Sequence, residues 1–277
     1  MILVTGATGN IGAELVRALA EADEGVRALI RRDSDRAGLP AGVEGVIGDL
    51  NRPETLSRAL AGVRGVHLLS GYQDMPGLLA EIRRAGVEHV VLQSSSAVPG
   101  RDMGNAVARY HILSEAAVRE SGVAWTFLQP NSFMSNTFQW ATQLQSGDVV
   151  RAPFAKVRVA TIDPVDVAAV SAQALTSAGH EGRSYRLSGP ESLLPADRVA
   201  VLAEVLGRDL RFEGQSDAEA RAEMSAAMPA EYVDAFFSFF ADGTLDESQV
   251  LGTVQEITGR PPRSFEQWAR THADAFH

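Results

Sequence analysis

Starting at Ile2, the run ILVTGATGNIGAELVRALA joins a short apolar strand to an amphipathic helix through a turn that places glycine at positions 6, 9 and 12. Each glycine answers a different physical demand. Gly6 lets the chain reverse tightly as it leaves the strand, Gly9 presents bare backbone to a pyrophosphate, and Gly12 lets the helix settle close to the sheet. The helix, with Ile11, Leu15, Leu19 and Ala22 at helical spacing, aims its free N–H groups and the positive end of its dipole at the phosphates. A glycine triplet alone is weak evidence. One that follows Ile2–Val4 and opens a helix is a dinucleotide-binding signature, with Thr8, Asn10 and Ile11 in the same cradle.

Alternation of strand and helix continues through the first half of the chain. We expect strands at Val26–Ile30, Val43–Ile47, Gly65–Leu69, His89–Gln93 and Trp125–Leu128, separated by helices that include Pro53–Leu60, Pro76–Ala85 and Val107–Glu120. This pattern implies an α/β fold with a Rossmann-type, doubly wound parallel sheet and right-handed crossovers. Ligands of such sheets lie beyond the carboxyl ends of the strands, so the residues just after each strand are the ones to follow. After about Asn131 the pattern loosens. A helix at Phe133–Leu144 and strands near Val149–Arg151 and Val157–Thr161 are expected, then helices at Ala196–Leu206, Ala218–Met228 and Glu231–Ala241. Asp163, Pro164 and Asp166 read as N-cap, first and third helical positions, a capping-box arrangement that explains both carboxylates without chemistry. The expected organisation is an NAD(P)-binding Rossmann domain over 1–150. A smaller, mostly helical α/β part over 151–277 caps the substrate and interleaves with it.

Composition narrows the class. The chain contains no cysteine, which removes disulfides, thiolate metal sites and a cysteine nucleophile. Its net charge of −10 argues against nucleic acid and anionic membrane as partners. No apolar run reaches membrane-spanning length and no signal peptide precedes the strand at Ile2, so a cytoplasmic enzyme is expected, a monomer or homodimer. The six scattered histidines form no H-x-x-x-H pair, which points away from a metal.

The chain resembles the NmrA-like, atypical short-chain dehydrogenase family, close to its NAD(P)H:quinone oxidoreductase branch. The residues that carry the resemblance run the length of the sequence. They are VTGATGNIG, Gly48–Leu50, His111-x-x-x-Glu115, Ser121–Val123, Trp125–Thr126, Gln129–Asn131, Asp163–Ala168, Tyr185–Glu191 and Thr258–Pro262. The resemblance implies that Asp49 and Leu50 lie beside the adenine and that Ser70, Gly71 and Tyr72 follow the diphosphate–ribose path. It also puts Ser94, His111, Pro130, Asn131 and Phe133 along the cofactor. Where the family commonly has arginine before this proline, the chain has Gln129.

The place after the second strand, which holds an acidic residue in NAD-specific proteins, here holds Arg31 and Arg32, with Arg36 nearby. Guanidinium groups complement a 2′-phosphate, which favours NADP(H) and leaves NAD(H) possible. The alternative is a solvated loop in which Asp33 and Asp35 neutralise the arginines.

The Y-x-x-x-K proton relay of ordinary short-chain dehydrogenases cannot exist here. The only lysine is Lys156, and Tyr110 is followed four positions later by Ser114. The resemblance sets His111 near the missing lysine, one helical turn from Glu115. Two readings stand for it: a ligand of the nicotinamide ribose or proton donor, and a packed helix histidine. Tyr72 and Ser95, within the Ser94–Ser96 strand end, complete the catalytic candidates. Phe133, Met134, Phe138 and Trp140, with Tyr72 opposite, are expected to wall a pocket for a flat substrate. Phe236, Phe237, Phe239 and Phe240 read as plain packing. The function implied is NADPH-dependent reduction of a quinone or similar small planar aromatic carbonyl compound, since an electrophilic quinone needs little acid catalysis. A non-catalytic NADP(H) sensor remains an alternative. So does a tailoring reductase or oxygenase acting on a polycyclic aromatic natural product.

Overall fold

A computed structural model describes residues Met1–His277. Nine strands form in chain order: β1 Ile2–Val4, β2 Val26–Ile30, β3 Glu44–Ile47, β4 Gly65–Leu69, β5 His89–Gln93, β6 Ala124–Pro130, β7 Val149–Ala152, β8 Arg183–Leu187 and β9 Arg211–Gly214. Seven of them make one sheet in the order β3-β2-β1-β4-β5-β6-β8, and every pair in it is parallel. Alternate residues feed opposite faces. Ile2, Val4, Val91 and Leu128 enter one core layer, while Leu3, Val90, Leu92 and Phe127 enter the other. Both faces are covered, which is why these strands read as unbroken apolar runs.

The helices are α1 Asn10–Glu21, α2 Ser57–Leu60, α3 Met75–Arg84, α4 Ala106–Glu120, α5 Ala141–Ser146, α6 Pro164–Thr176, α7 Pro195–Leu206, α8 Asp217–Ala227, α9 Ala230–Phe240, α10 Thr253–Thr258 and α11 Phe265–Thr271. Helix α1 packs along α6, which in turn meets α10, over the first core layer. Residues Leu78, Leu79 and Ile82 of α3 and Val118 of α4 cover the other face. A third apolar cluster joins Met134, Trp140 and Leu144 to Val199, Leu202, Phe265, Trp268 and Phe276, tying the later helices to the segment after β6. Both α6 and β8 come from beyond residue 150 yet sit in the main sheet and its helical layer. No helix is long and apolar enough to cross a membrane.

Four expectations are corrected. Phe133–Leu144 is not one α-helix: Met134–Trp140 is a 3-10 helix, followed by α5. Val157–Thr161 forms no strand. Val159 makes a single antiparallel bridge with Leu193 and finds no neighbouring ladder. The capping box at Asp163–Asp166 is only half present. Asp163 caps α6 by accepting from Val165 N at 2.9 Å. Asp166, fully buried, instead accepts from Arg260 Nη1 and Arg263 N, each at 2.7 Å. With Arg263 Nη1 3.0 Å from Asp163, the Thr258–Pro262 turn is stapled to the start of α6. The fourth is β8, which the sequence does not announce. Its RSYRL pattern is polar at the exposed edge of the sheet, so apolar periodicity fails there.

Candidate active site

The strand order reverses between β1 and β4, which both flank the turn at Gly6. A cleft of about 1190 Å³ opens there, lined by Gly6, Thr8 and Gly9 after β1, by Arg31 and Arg32 after β2, by Asp49 and Leu50 after β3, and by Tyr72 after β4. Gly6 adopts φ +61°, a left-handed conformation that glycine takes without strain. Gly9 is the N-cap of α1 with no side-chain cap, so the first N–H groups of the helix, at Asn10, Ile11 and Gly12, remain free to meet an anion. A Cβ on Gly9 would approach only Gly6 O, at 3.3 Å. A Cβ on Gly12 would fall 2.1 Å from that same oxygen. Gly12 therefore serves the close packing of helix on turn, while Gly9 keeps a cradle open. This shape and donor set fit a dinucleotide.

At the far end of the cleft the two arginines differ. Arg32 sits 3.4 Å from Asp35 with its side chain 80% exposed, and Arg36 is drawn away to Asp33 and Gly45 O. Arg31 makes no ion pair and lies near Tyr72, whose phenol is raised by burial first, then lowered by Arg31 and raised by Asp49. Tyr72 therefore belongs to this cleft. It does not line the aromatic cavity described below, which removes it from the substrate wall expected for it.

Between cleft and cavity, the ends of β4 and β5 meet α4. Ser70 Oγ donates to Gln93 O at 2.8 Å, and Gly71 N donates to Ser114 Oγ at 3.1 Å. Of the three serines after β5, Ser94 donates to Glu115 at 2.6 Å and Ser96 to Glu247 at 2.6 Å. Ser95 has only a local bond, accepting from Ala97 N, so its hydroxyl is the one left available. Glu115 is fully buried and is engaged by Ser94, by Gln129 Nε2 at 2.8 Å and by Arg119 Nη2 at 2.9 Å. It makes no bond to His111, one helical turn away on α4. Burial holds the His111 imidazole down to about 4, and its Nδ1 is buried without a partner beside the Tyr110 ring. At neutral pH His111 is thus a neutral ring, able to give or take one hydrogen bond but not to act as an imidazolium acid. The Y-x-x-x-K geometry is absent in space as in sequence: Ser114 Oγ donates to Tyr110 O at 2.7 Å.

After β6 the chain does two jobs. Pro130 and Asn131 are buried; Asn131 Nδ2 donates to Glu247 O at 3.0 Å and Ala160 O at 3.3 Å. Glu247 in turn accepts from Ser132 N at 3.0 Å and Ser132 Oγ at 2.6 Å. This latch, which pattern reasoning missed because a lone buried glutamate has no spacing, closes a C-terminal strap over the ends of β5 and β6. Burial, opposed by its serine hydrogen bonds, pushes the Glu247 carboxyl up.

Beyond it lies a cavity of about 570 Å³ walled by Phe133, Trp140, Phe154, Phe236 and Phe240, with Ser132 and Thr161 on its inner side. The 3-10 helix explains which side chains reach it. At three residues per turn, positions three apart eclipse one another. Phe133, Asn136 and Gln139 face the cavity together, while Met134, Thr137 and Trp140 are fully buried, the Trp140 ring still forming part of the wall. Phe138 falls on neither row and stacks on Phe276 at 5.9 Å and against Trp268 at 5.1 Å. Met134 and Phe138 are thus core residues and not the pocket wall expected of them. The phenylalanine quartet divides the other way: Phe237 and Phe239 are buried, and Phe236 and Phe240, one helical turn apart on α9, line the cavity. Phe154 holds φ +55°, uncommon for a bulky residue, and its ring meets Phe237 and Phe240 at 5.2 and 5.3 Å.

A parallel doubly wound sheet, an uncapped helix start at its switch point and an aromatic cavity farther along the same crest define a dinucleotide-dependent α/β enzyme. Residues 6–178 match the family model described as NAD(P)H-binding, and the chain belongs to that family. Among curated relatives it is 44% identical, over 100% of this chain and 99% of the other, to the (4-alkanoyl-5-oxo-2,5-dihydrofuran-3-yl)methyl phosphate reductase of Streptomyces griseus. It is 37% identical, over 100% and 99%, to the NAD(P)H azoreductase of Xenophilus azovorans. Among solved structures, the NADPH complex of the quinone oxidoreductase QOR2 from Escherichia coli superposes with a TM-score of 0.81 at 23% identity, covering 99% of this chain and 100% of that one. The chain is an NAD(P)H-dependent oxidoreductase of that NAD(P)H-binding family, and it shares its fold with the NmrA structure, at a TM-score of 0.77 and 18% identity.

Proposed function

We propose that the protein uses NADPH to reduce a flat, conjugated, electron-poor acceptor, a quinone or a similarly planar unsaturated carbonyl compound. The observation that carries this reading is the aromatic cavity at the end of β6, on the same crest of strand ends as the dinucleotide cleft. Aromatic walls on several sides suit a planar guest and exclude water from it. The bound dinucleotide supplies a hydride, and the acceptor takes up that hydride and one proton.

The residues of this chain divide the remaining tasks. Gly6, Gly9 and the opening N–H groups of α1 receive the pyrophosphate, and Arg31 with Arg32 receives the 2′-phosphate that distinguishes NADPH. Asp49 and Leu50 flank the adenine end. Ser95, after β5, and His111, on α4, lie between cleft and cavity in strand order and orient the nicotinamide end or the acceptor oxygen through single hydrogen bonds. The site supplies no charged acid at that point, since His111 is neutral and no lysine replaces the usual one. An acceptor that is already a strong electrophile does not require one, and holding its ring in register against the reducing agent accounts for the rate. The S. griseus and X. azovorans relatives support reduction of unsaturated, electron-poor substrates.

The test is anaerobic mixing of enzyme and NADPH with a panel of benzoquinones, naphthoquinones, azo dyes and α,β-unsaturated lactones. Consumption of the nicotinamide absorbance is expected with at least one planar conjugated acceptor. Tight NADPH binding with no turnover of any member overturns the reading and leaves the sensor alternative.

A further inference from the structure

One charged side chain in the aromatic cavity has no partner. Arg198 projects from the first turn of α7 and its guanidinium lies 5.1 Å over the Trp140 ring. Its Nε is buried without an acceptor, and neither terminal nitrogen makes a hydrogen bond or ion pair within the chain. The nearby acids are engaged elsewhere. Asp197 accepts from Leu194 N at 2.9 Å and pairs with Arg158 at 3.3 Å. Glu223, the only carboxylate lining the cavity, accepts from Gln215 Nε2 at 2.6 Å and is not paired with Arg198.

A guanidinium drawn partly out of water without a counter-charge is costly, and proteins ordinarily pair it or move it to solvent. Burial pulls Arg198 down only to about 10, so it stays charged at neutral pH. Trp140 supplies partial compensation through its π face, yet that contact leaves every N–H of the guanidinium unused. The Trp140 Nε1 donor is also buried with no acceptor. Nearby, Asn136 and Gln139 present side-chain amides to the same space. The cavity therefore combines apolar walls with a set of unsatisfied donors dominated by one fixed positive charge.

We propose that Arg198 anchors an oxyanion, a phosphate monoester, carried by the reducible substrate. The aromatic walls then hold the planar part and the guanidinium fixes the anionic end by charge-assisted bonds. This deepens the reductase reading and rests on it for the word substrate. The anion site itself stands on the cavity alone, and a phosphate-bearing substrate of the S. griseus relative is in keeping with it.

The experiment is titration calorimetry on protein saturated with NADP⁺, so that the dinucleotide cleft cannot compete for phosphate. The probes are 1-naphthyl phosphate and neutral 1-naphthol. Wild type is expected to bind the phosphate at least tenfold more tightly. In Arg198→Met that ratio falls by at least tenfold, and in Arg198→Lys it falls less because the charge is kept. Retained NADP⁺ affinity and an unchanged circular dichroism spectrum show that each variant is folded. Equal affinity of wild type for the two probes overturns the proposal, as does a preference that survives in Arg198→Met. A phosphate preference that follows Arg198 in an enzyme inert towards every acceptor keeps the anchor and overturns only the reductase reading.

Discussion

Removing the two guanidinium groups after β2 tests the nucleotide preference most directly. Arg31 has no ion-pair partner, so its charge is fully available to a 2′-phosphate, whereas Arg32 must first leave Asp35, 3.4 Å away. A hydrogen bond to a charged group contributes about 1.5–3 kcal/mol, and exposure to solvent puts Arg31 near the lower end of that range. Adding a smaller share for Arg32 gives about 2 kcal/mol for the pair, or roughly thirtyfold in dissociation constant. Arg31→Ala combined with Arg32→Ala is therefore expected to weaken NADPH about thirtyfold and NADH by less than about threefold, since NADH offers only a neutral ribose hydroxyl there. Quenching of protein fluorescence, titrated with each nucleotide, reads both constants. Raising salt should narrow the wild-type difference between NADPH and NADH, as screening acts on the phosphate contact alone. Parallel losses for the two nucleotides would refute the 2′-phosphate assignment and return the arginines to a solvated loop.

Gly9→Val keeps an allowed backbone, because Gly9 is extended at φ −88° and ψ 175°. The fold should persist in circular dichroism while nucleotide affinity drops by at least about tenfold, as the side chain fills the cradle. Phe138→Ala should lower stability by about 2–4 kcal/mol in urea denaturation by opening space against Trp268 and Phe276, and Phe236→Ala should instead raise the KM of the acceptor with little change in midpoint. His111→Ala should reduce kcat/KM about tenfold if its ring makes one oriented hydrogen bond in the site; wild-type turnover returns it to a packing role. His67 is buried 2.8 Å from Ser171 Oγ, and burial, weakly opposed by Gln93, holds it down to about 4 against 6.5 when unfolded. The unfolded chain takes up that proton first, so the contribution of His67 to stability should be constant above about pH 6.5 and fall as pH drops towards 4, by about 3 kcal/mol. A His67→Gln variant should flatten that slope in thermal melts.

The Rossmann half was legible because its strands are buried on both faces and its glycines obey fixed spacing. All six of its expected strands start within a residue of where they lie, and only β6 ends elsewhere, running on to Pro130. What escaped was set by tertiary partners. β8 is held by pairing with β6 and not by its own apolar pattern. Asp166 carries the same local signal whether it caps a helix or clamps Arg260, and only the fold decides. In the site, the glycines and Arg31 and Arg32 followed from strand ends, and Asp49, Leu50 and Tyr72 from the family resemblance. His111 lies on the expected helix, while Glu115, one turn on, is held by Ser94, Gln129 and Arg119. Arg198 left no trace in the sequence, since an arginine in the first turn of an amphipathic helix ordinarily reads as solvated surface.

The 3-10 stretch Met134–Trp140 has an evolutionary consequence. Because its period is three, Phe133, Asn136 and Gln139 form one row facing the cavity, while the row of Met134, Thr137 and Trp140 is buried and meets the cavity only through the Trp140 ring. Asn136 and Gln139 can drift to new side chains and retune what the enzyme accepts, while Met134 and Thr137 stay under separate selection for stability. A single-residue insertion there would turn the residues beyond it by about 120° and move every row one place round at once. Lineages of this enzyme are therefore expected to explore new acceptors by substitution along this stretch and to leave its length alone.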